Sequence, residues 1–245
     1  MTKIQIEKPI IILVNTQLPE NLGASARAML NFNFEKIRIV SPKFELENKK
    51  IIPVSAGADL VIKNIKKFDS LEDAIKDLNF LIACTARKRF LDKKTLAPKL
   101  AVKEIIERTI NNNKIGIIFG PENAGLTNKH LSMVDALLKI NSNPNFKSLN
   151  LSHAIMIFCY EWTENITKGK TKFSKSVEKE LALKKDFLNF FNRLEILMEK
   201  NGFIKTQDRK DIIILKLRNI FKRMSLTKNE LNTLMGLISS LSHKK

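Results

Sequence analysis

What the chain lacks narrows it quickly. It has eight glycines and two cysteines in 245 residues. Cys84 and Cys159 stand far apart, and His130, His153 and His243 each stand singly. Neither a disulfide framework nor a zinc-ligand spacing can be read from them, so no metal is expected and both thiols should be free. No apolar run approaches the roughly 18 residues that cross a bilayer, so no membrane span is expected. The stretch from Met1 to Pro9 has too short an apolar run for a signal peptide and no small-residue cleavage site, which gives a cytoplasmic expectation. A dinucleotide fingerprint G-x-G-x-x-G after the first strand is missing, as is the phosphate loop G-x-x-x-x-G-K-[ST]. Nucleophile elbows and kinase motifs are missing as well.

Positive charge is abundant. Lysine and arginine number 43 against 25 acidic residues, a net charge of +18. Such an excess attracts polyanions, with nucleic acid first and an anionic membrane surface second. A solvated lysine surface is the simpler alternative. Apolar residues make up 44% of the chain, enough for a buried core.

Short apolar runs alternate with helical patterns. Strands are expected at Ile10–Val14, Ile37–Val40, Phe80–Cys84, Ile115–Phe119 and Ala136–Ile140. Helices are expected at Asn21–Leu30, Leu71–Leu78, Ala97–Thr109 and Leu151–Trp162, with Thr127 capping a short one at Asn128–Met133. Residues 43–70 read as irregular, with a short helix near Ser55–Val61. The alternation predicts an α/β fold with a parallel sheet. Composition shifts after residue 167. Residues 168–176 are basic, small and polar, and read as a linker. Helical runs near 177–200, 208–223 and 227–242 form an α-helical C-terminal extension over 177–245. The middle run mixes Arg209, Lys210, Lys216, Arg218, Lys222 and Arg223 with apolar residues. It reads as a basic amphipathic helix, either a solvated bundle face or a phosphate-binding surface.

Open α/β sheets bind ligands beyond the carboxyl ends of their strands. Four strand ends carry polar or basic groups here: Asn21 with Arg27, Thr85-Ala86-Arg87-Lys88-Arg89, Gly120 through Gly125, and Lys147 through Asn150. The stretch from Asn141 to Trp162 is central. Asn141, Asn143, Asn145, Ser148 and Asn150 are more polar groups than one helix cap requires. Glu122 is a candidate base without an evident partner. Arg27, alone among Gly23, Ala24, Ser25, Ala26 and Ala28, is expected to point toward the same site.

Three of these stretches resemble the three motifs of the SpoU/TrmH family of RNA ribose 2'-O-methyltransferases, within the SPOUT superfamily. They are Asn21–Ala28, Phe119–Asn128 and Asn143–Ser152. The third, with its Asn-Pro and Ser-Leu-Asn-Leu, and the helical tail look most like the TrmJ-type tRNA methyltransferases. The resemblance implies a SPOUT-type parallel sheet closed by a C-terminal trefoil knot over residues 1–167, and a homodimer. It implies S-adenosylmethionine as cofactor, with tRNA as partner. The acceptor would be the 2'-hydroxyl of a cytidine or uridine in the anticodon loop, at position 32. Ribosomal RNA is the alternative substrate, and a catalytically silent knotted RNA-binding protein the alternative class. By position, cofactor contacts fall to Cys84, Thr85, Ala86, Gly120, Ile140, Lys147, Ser148 and Leu149, largely through backbone groups. The catalytic set is Asn21, Arg27, Glu122, Ser148 and Asn150. Cys84 replaces a small hydroxyl residue, Phe146 a tyrosine, Lys147 a serine, and Ala124 an arginine common in relatives.

Overall fold

The computed structural model describes residues 6–86, 93–167, 180–204 and 206–242. The expected linker at 168–176 and the basic residues Arg87, Lys88 and Arg89 lie outside them. Seven described strands form one sheet: β1 (Ile10–Val14), β2 (Ile37–Val40), β3 (Ile65–Phe68), β4 (Phe80–Cys84), β5 (Lys94–Leu96), β6 (Ile115–Phe119) and β7 (Ala136–Leu138). Their order is β3-β2-β1-β6-β4-β7-β5, and every pairing is parallel. Buried on both faces, the central strands are continuous apolar runs, as parallel sheets require.

On one face pack α1 (Pro19–Leu30), α5 (Pro98–Ile110) and α7 (Leu151–Thr167). On the other lie α4 (Leu71–Ile75) and α6 (Asn128–Ser132). Phe158 and Trp162 of α7 meet the ring of Phe34 edge-on, at centroid distances of 6.1 and 6.0 Å. α1 begins at Pro19, two residues before the expected start, because proline's fixed φ suits a first helical turn.

The stretch before β3 departs from expectation. The helix expected near Ser55–Val61 is replaced by two single turns, α2 (Ile51–Ser55) and α3 (Asp59–Lys63). Between them Ala56 and Gly57 take φ of 46° and 89°, which no continuing helix tolerates. α2 lies hard against α1. A Cβ at Gly23 would sit 2.3 Å from the Ile51 carbonyl oxygen, so only glycine fits there. The close approach that α1's small residues permit is thus made, at Gly23, by the same chain. β3 and β5 were not expected as strands. Both are edge strands carrying exposed lysines, which blur alternation while guarding against strand addition.

The tail comprises α8 (Lys184–Lys200), α9 (Gln207–Arg223) and α10 (Lys228–Ser242) around a core of Phe187, Phe190, Phe191, Leu226 and Leu231. It is fastened to the amino-terminal rim of the sheet. Lys184 N–H donates to the Leu78 carbonyl at 2.8 Å. Asn79 Nδ2 donates to the Leu181 carbonyl at 2.6 Å, and Leu181 N–H to Asn113 Oδ1 at 2.9 Å. Beneath these sits a buried ionic cluster. Asp135 Oδ2 accepts from Lys184 Nζ at 2.6 Å and from Leu81 N–H at 2.7 Å. Lys222 Nζ lies 3.9 Å from the other carboxylate oxygen and 4.0 Å from the Phe187 ring centroid. Lys93 Nζ donates to the Val134 carbonyl at 2.7 Å. Burial pushes the Lys93 ammonium down to about 8, and pushes Lys222 well down too, aided by repulsion from Lys184.

This changes the reading of α9. Lys222 faces inward, Arg218 pairs with Glu195 at 3.0 Å, and Lys210 pairs with Glu199. Half of its basic residues therefore hold the bundle together. Arg209, Lys216 and Arg223 remain exposed.

Candidate active site at the carboxyl rim

Adjacent strands β6, β4 and β7 end together at the carboxyl rim. The loops that follow them enclose a cavity of about 1040 Å³. Cys84, Thr85 and Ala86 supply one wall, and Gly120, Pro121 and Glu122 a second. The third runs from Lys139, Ile140 and Asn141 to Lys147, Ser148 and Leu149. All eight residues expected at the cofactor line this one space. Leu126, Leu151 and Ala154 add apolar surface that sequence reasoning did not assign to the site.

Each wall has a local cause. Thr85 N–H donates to the Leu138 carbonyl at 3.1 Å and joins the first wall to the end of β7. The second loop doubles back through a Gly125 N–H bond to the Pro121 carbonyl of 2.9 Å, with Gly125 at φ 65°. A Cβ on Gly120 would stand 2.6 Å from Leu126 N, so the fold-back requires glycine at that point. Thr127 then starts α6 with a capping box. Its hydroxyl accepts from His130 N–H at 3.2 Å, and His130 Nδ1 accepts from Thr127 N–H at 3.4 Å. In the third wall, Asn143 Oδ1 accepts from Asn145 N–H at 2.9 Å, an Asx turn before the exposed Phe146. Burial holds the Cys84 thiol up at about 12, so it stays protonated and serves as an apolar wall.

A line of hydrogen bonds ties three elements together at the edge of this cavity. Asn150 Oδ1 caps α7 by accepting from Ser152 N–H at 2.9 Å, and it also accepts from Ser152 Oγ at 2.7 Å. Asn150 Nδ2 donates to Asn21 Oδ1 at 2.9 Å. Asn21 Nδ2 donates to Glu122 Oε1 at 2.6 Å, while Gln17 N–H donates to Oε2 at 3.1 Å. The line has a direction. A backbone N–H can only donate and an ionised carboxylate can only accept, so both carboxamides between them are oriented. Three of the expected catalytic residues are thereby joined, and Glu122 does have partners. Ser148 lines the cavity with an exposed side chain.

Arg27 is different. It is exposed, does not line the cavity, and forms no ion pair among the described residues. Six positions beyond Asn21, it is turned about 240° around the helix. The structure therefore does not bring Arg27 into the cavity of its own chain. Gln17 and Ser152 are contributors that sequence reasoning missed. Gln17 acts through its backbone and leaves no side-chain signal, whereas Ser152 stands at the second helical position after a capping Asn.

Among the described residues there is no group of three or more His, Cys, Asp or Glu able to hold a metal, and no helix long and apolar enough to cross a membrane. The sequence model of the SpoU rRNA Methylase family matches residues 8–160. A protein named tRNA (cytidine/uridine-2'-O-)-methyltransferase TrmJ, from Photorhabdus laumondii, is 32% identical over 237 residues, covering 96% of this chain and 97% of that one. An uncharacterized tRNA/rRNA methyltransferase of Haemophilus influenzae is 31% identical over 98% of this chain and 96% of its own length. The crystal structure of TrmJ from Z. mobilis superposes with a TM-score of 0.86 at 32% identity, covering 96% of this chain and 99% of that one. The match spans the tail as well as the sheet; the second and third sequence motifs supply two walls of the cavity, and the first lies on α1, joined to it through Asn21. The chain belongs to the SpoU methylase family.

Proposed function

We propose that the protein is an S-adenosylmethionine-dependent tRNA methyltransferase. The acceptor is the ribose 2'-hydroxyl of cytidine or uridine, and we place it in the anticodon loop, at position 32. The observation that carries this reading is the one cavity lined by the loops after β4, β6 and β7, in a chain alike over 96% of its length to a protein named for that reaction. The cavity fits the cofactor chemically. It is large, mostly apolar, and offers backbone groups of three loops at a pinched glycine turn. When bound, S-adenosylmethionine supplies an electrophilic methyl group on a sulfonium.

The chain's residues then have separable tasks. Backbone groups at Thr85, Gly120, Ile140 and Leu149 would hold the cofactor. Ser148 and the line from Asn150 through Asn21 to Glu122 face the acceptor side. A 2'-hydroxyl must lose its proton as it attacks. Arg27 cannot take that proton, because guanidinium stays charged in proteins. It instead grips a phosphate and stabilises negative charge developing on the 2'-oxygen. Glu122, water or a neighbouring phosphate receives the proton.

Arg27 lies outside the cavity of its own chain, which supports a homodimer in which each subunit lends this residue to the other. We read the protein as cytoplasmic and, from its likeness to the SpoU methylase family, as knotted. The test is incubation of the purified protein with methyl-labelled S-adenosylmethionine and either tRNA or ribosomal RNA, followed by mass mapping of 2'-O-methyl nucleosides. Label at position 32 of tRNA is expected. Label confined to ribosomal RNA would replace the substrate assignment. Absence of cofactor binding by calorimetry would leave a silent RNA-binding protein.

A further inference from the structure

Ser152 is buried, with 7% of its surface exposed, at the start of α7. Its backbone N–H alone satisfies the requirement for a helix cap on Asn150 Oδ1, at 2.9 Å. The hydroxyl adds a second and shorter bond to the same oxygen, at 2.7 Å. Two donors therefore converge on Oδ1. Turning the Asn150 carboxamide over would put its NH2 against a backbone donor and break that bond, and the Ser152 hydroxyl would have to reverse from donor to acceptor. It would also remove the 2.9 Å bond to Asn21 and leave the 2.6 Å bond from Asn21 to Glu122 without its orienting neighbour.

We infer that Ser152 is a positioning residue for methyl transfer: its backbone N–H sets which way the Asn150 carboxamide faces and its hydroxyl holds that oxygen in place, so that Asn21 and Glu122 are presented to the acceptor in one orientation. The inference rests on the methyltransferase reading for its rate, but not for its geometry. Ser152 touches neither cofactor nor acceptor, since it lies behind Asn150 and away from the cavity lining.

The experiment compares Ser152→Ala, Asn150→Ala and the double variant with the wild-type protein. Loss of one hydrogen bond at a site of this kind corresponds to a fall of about fivefold in kcat. The KM for S-adenosylmethionine should stay within about twofold. Asn150→Ala should make the serine change silent, so the double variant should match Asn150→Ala alone. Side-chain amide NMR resonances of Asn21 and Asn150 should also shift in Ser152→Ala, whatever the activity of the wild type. Unmoved amide resonances would overturn the inference even in an active enzyme. So would losses that simply add in the double variant. Shifted resonances in a protein that transfers no methyl group would uphold this geometry while removing the functional reading.

Discussion

The two rims of the sheet solve opposite problems. At the carboxyl rim the loops stand apart around an open cavity, and the polar groups there form a mostly neutral line that ends on one carboxylate. At the amino rim the tail closes the surface, and one carboxylate is buried among three lysines. Neutral amides can be held in place beside solvent at little desolvation cost, and their orientation is what they contribute. Ions cannot be buried so lightly: removing one partner leaves the others unpaired. The carboxyl rim is therefore built to be sensitive in rate, and the amino rim to be sensitive in stability.

Substitutions at each rim should separate these two responses. The largest effect is expected at Asp135→Asn, which keeps an acceptor for Leu81 N–H but removes the charge facing Lys184, Lys222 and Lys93. It should destabilise the fold by about 3 kcal/mol, read from denaturant midpoints. Adding Lys184→Met should recover part of that loss; further destabilisation would show that the cluster is not governed by charge balance. Next, Arg27→Lys should lower single-turnover methyl transfer about a hundredfold with little change in tRNA affinity, because a point charge cannot reproduce the guanidinium fork. Near-normal turnover would remove its assigned role. Asn150→Ala follows, with a rate loss of about tenfold that exceeds any loss of cofactor affinity by calorimetry. Arg27→Lys should leave the melting temperature nearly unchanged, and Asn150→Ala should lower stability only by what one helix cap contributes, about 1 kcal/mol; a much larger shift would blur the distinction between the rims.

A smaller effect should appear with pH. The folded-state value of Lys93, about 8, lies below its unfolded value. Between the two the unfolded chain binds more protons, so stability should rise as pH increases through that window, and its full cost remains below about 8. Lys93→Met should flatten the rise in unfolding midpoints measured from pH 7.5 to 9.5. The smallest change is expected at exposed Lys216 of α9. Lys216→Ala should weaken tRNA binding evenly across tRNAs and reduce the salt slope by about one.

The parts of this molecule that were legible beforehand are those whose signals are local. Five strands announced themselves as apolar runs, and the Thr127 cap stood at its expected place. Two of the cavity loops could be named because motif residues cluster in sequence before they cluster in space, and the loop after β4 because it follows a clear apolar strand. β3 was hidden because Lys66 and Lys67 serve an edge, and the α2 to α3 break because Ala56 takes a left-handed conformation that its identity does not advertise. The Glu122 partners were hidden for another reason. Gln17 and Asn21 lie 105 and 101 residues of chain from Glu122, and Asn150 lies 129 residues from the Asn21 it orients. Lys222 reads as one more surface cation until the fold turns it inward. Periodicity shows which face of a helix differs, not what that face will meet.

The attachment of the tail at Leu78, Asn79 and Asn113 sets a span for the RNA. A nucleotide seated at the far end of β4 is at least one five-residue strand away from that attachment, roughly 17 Å. On the proposed reading, RNA that touches both the cavity and α8 to α10 of one subunit must span at least that distance. Trimming the substrate to its stem and loop should thus cost affinity in proportion to what the helices contribute, while the chemistry at the seated ribose proceeds as before.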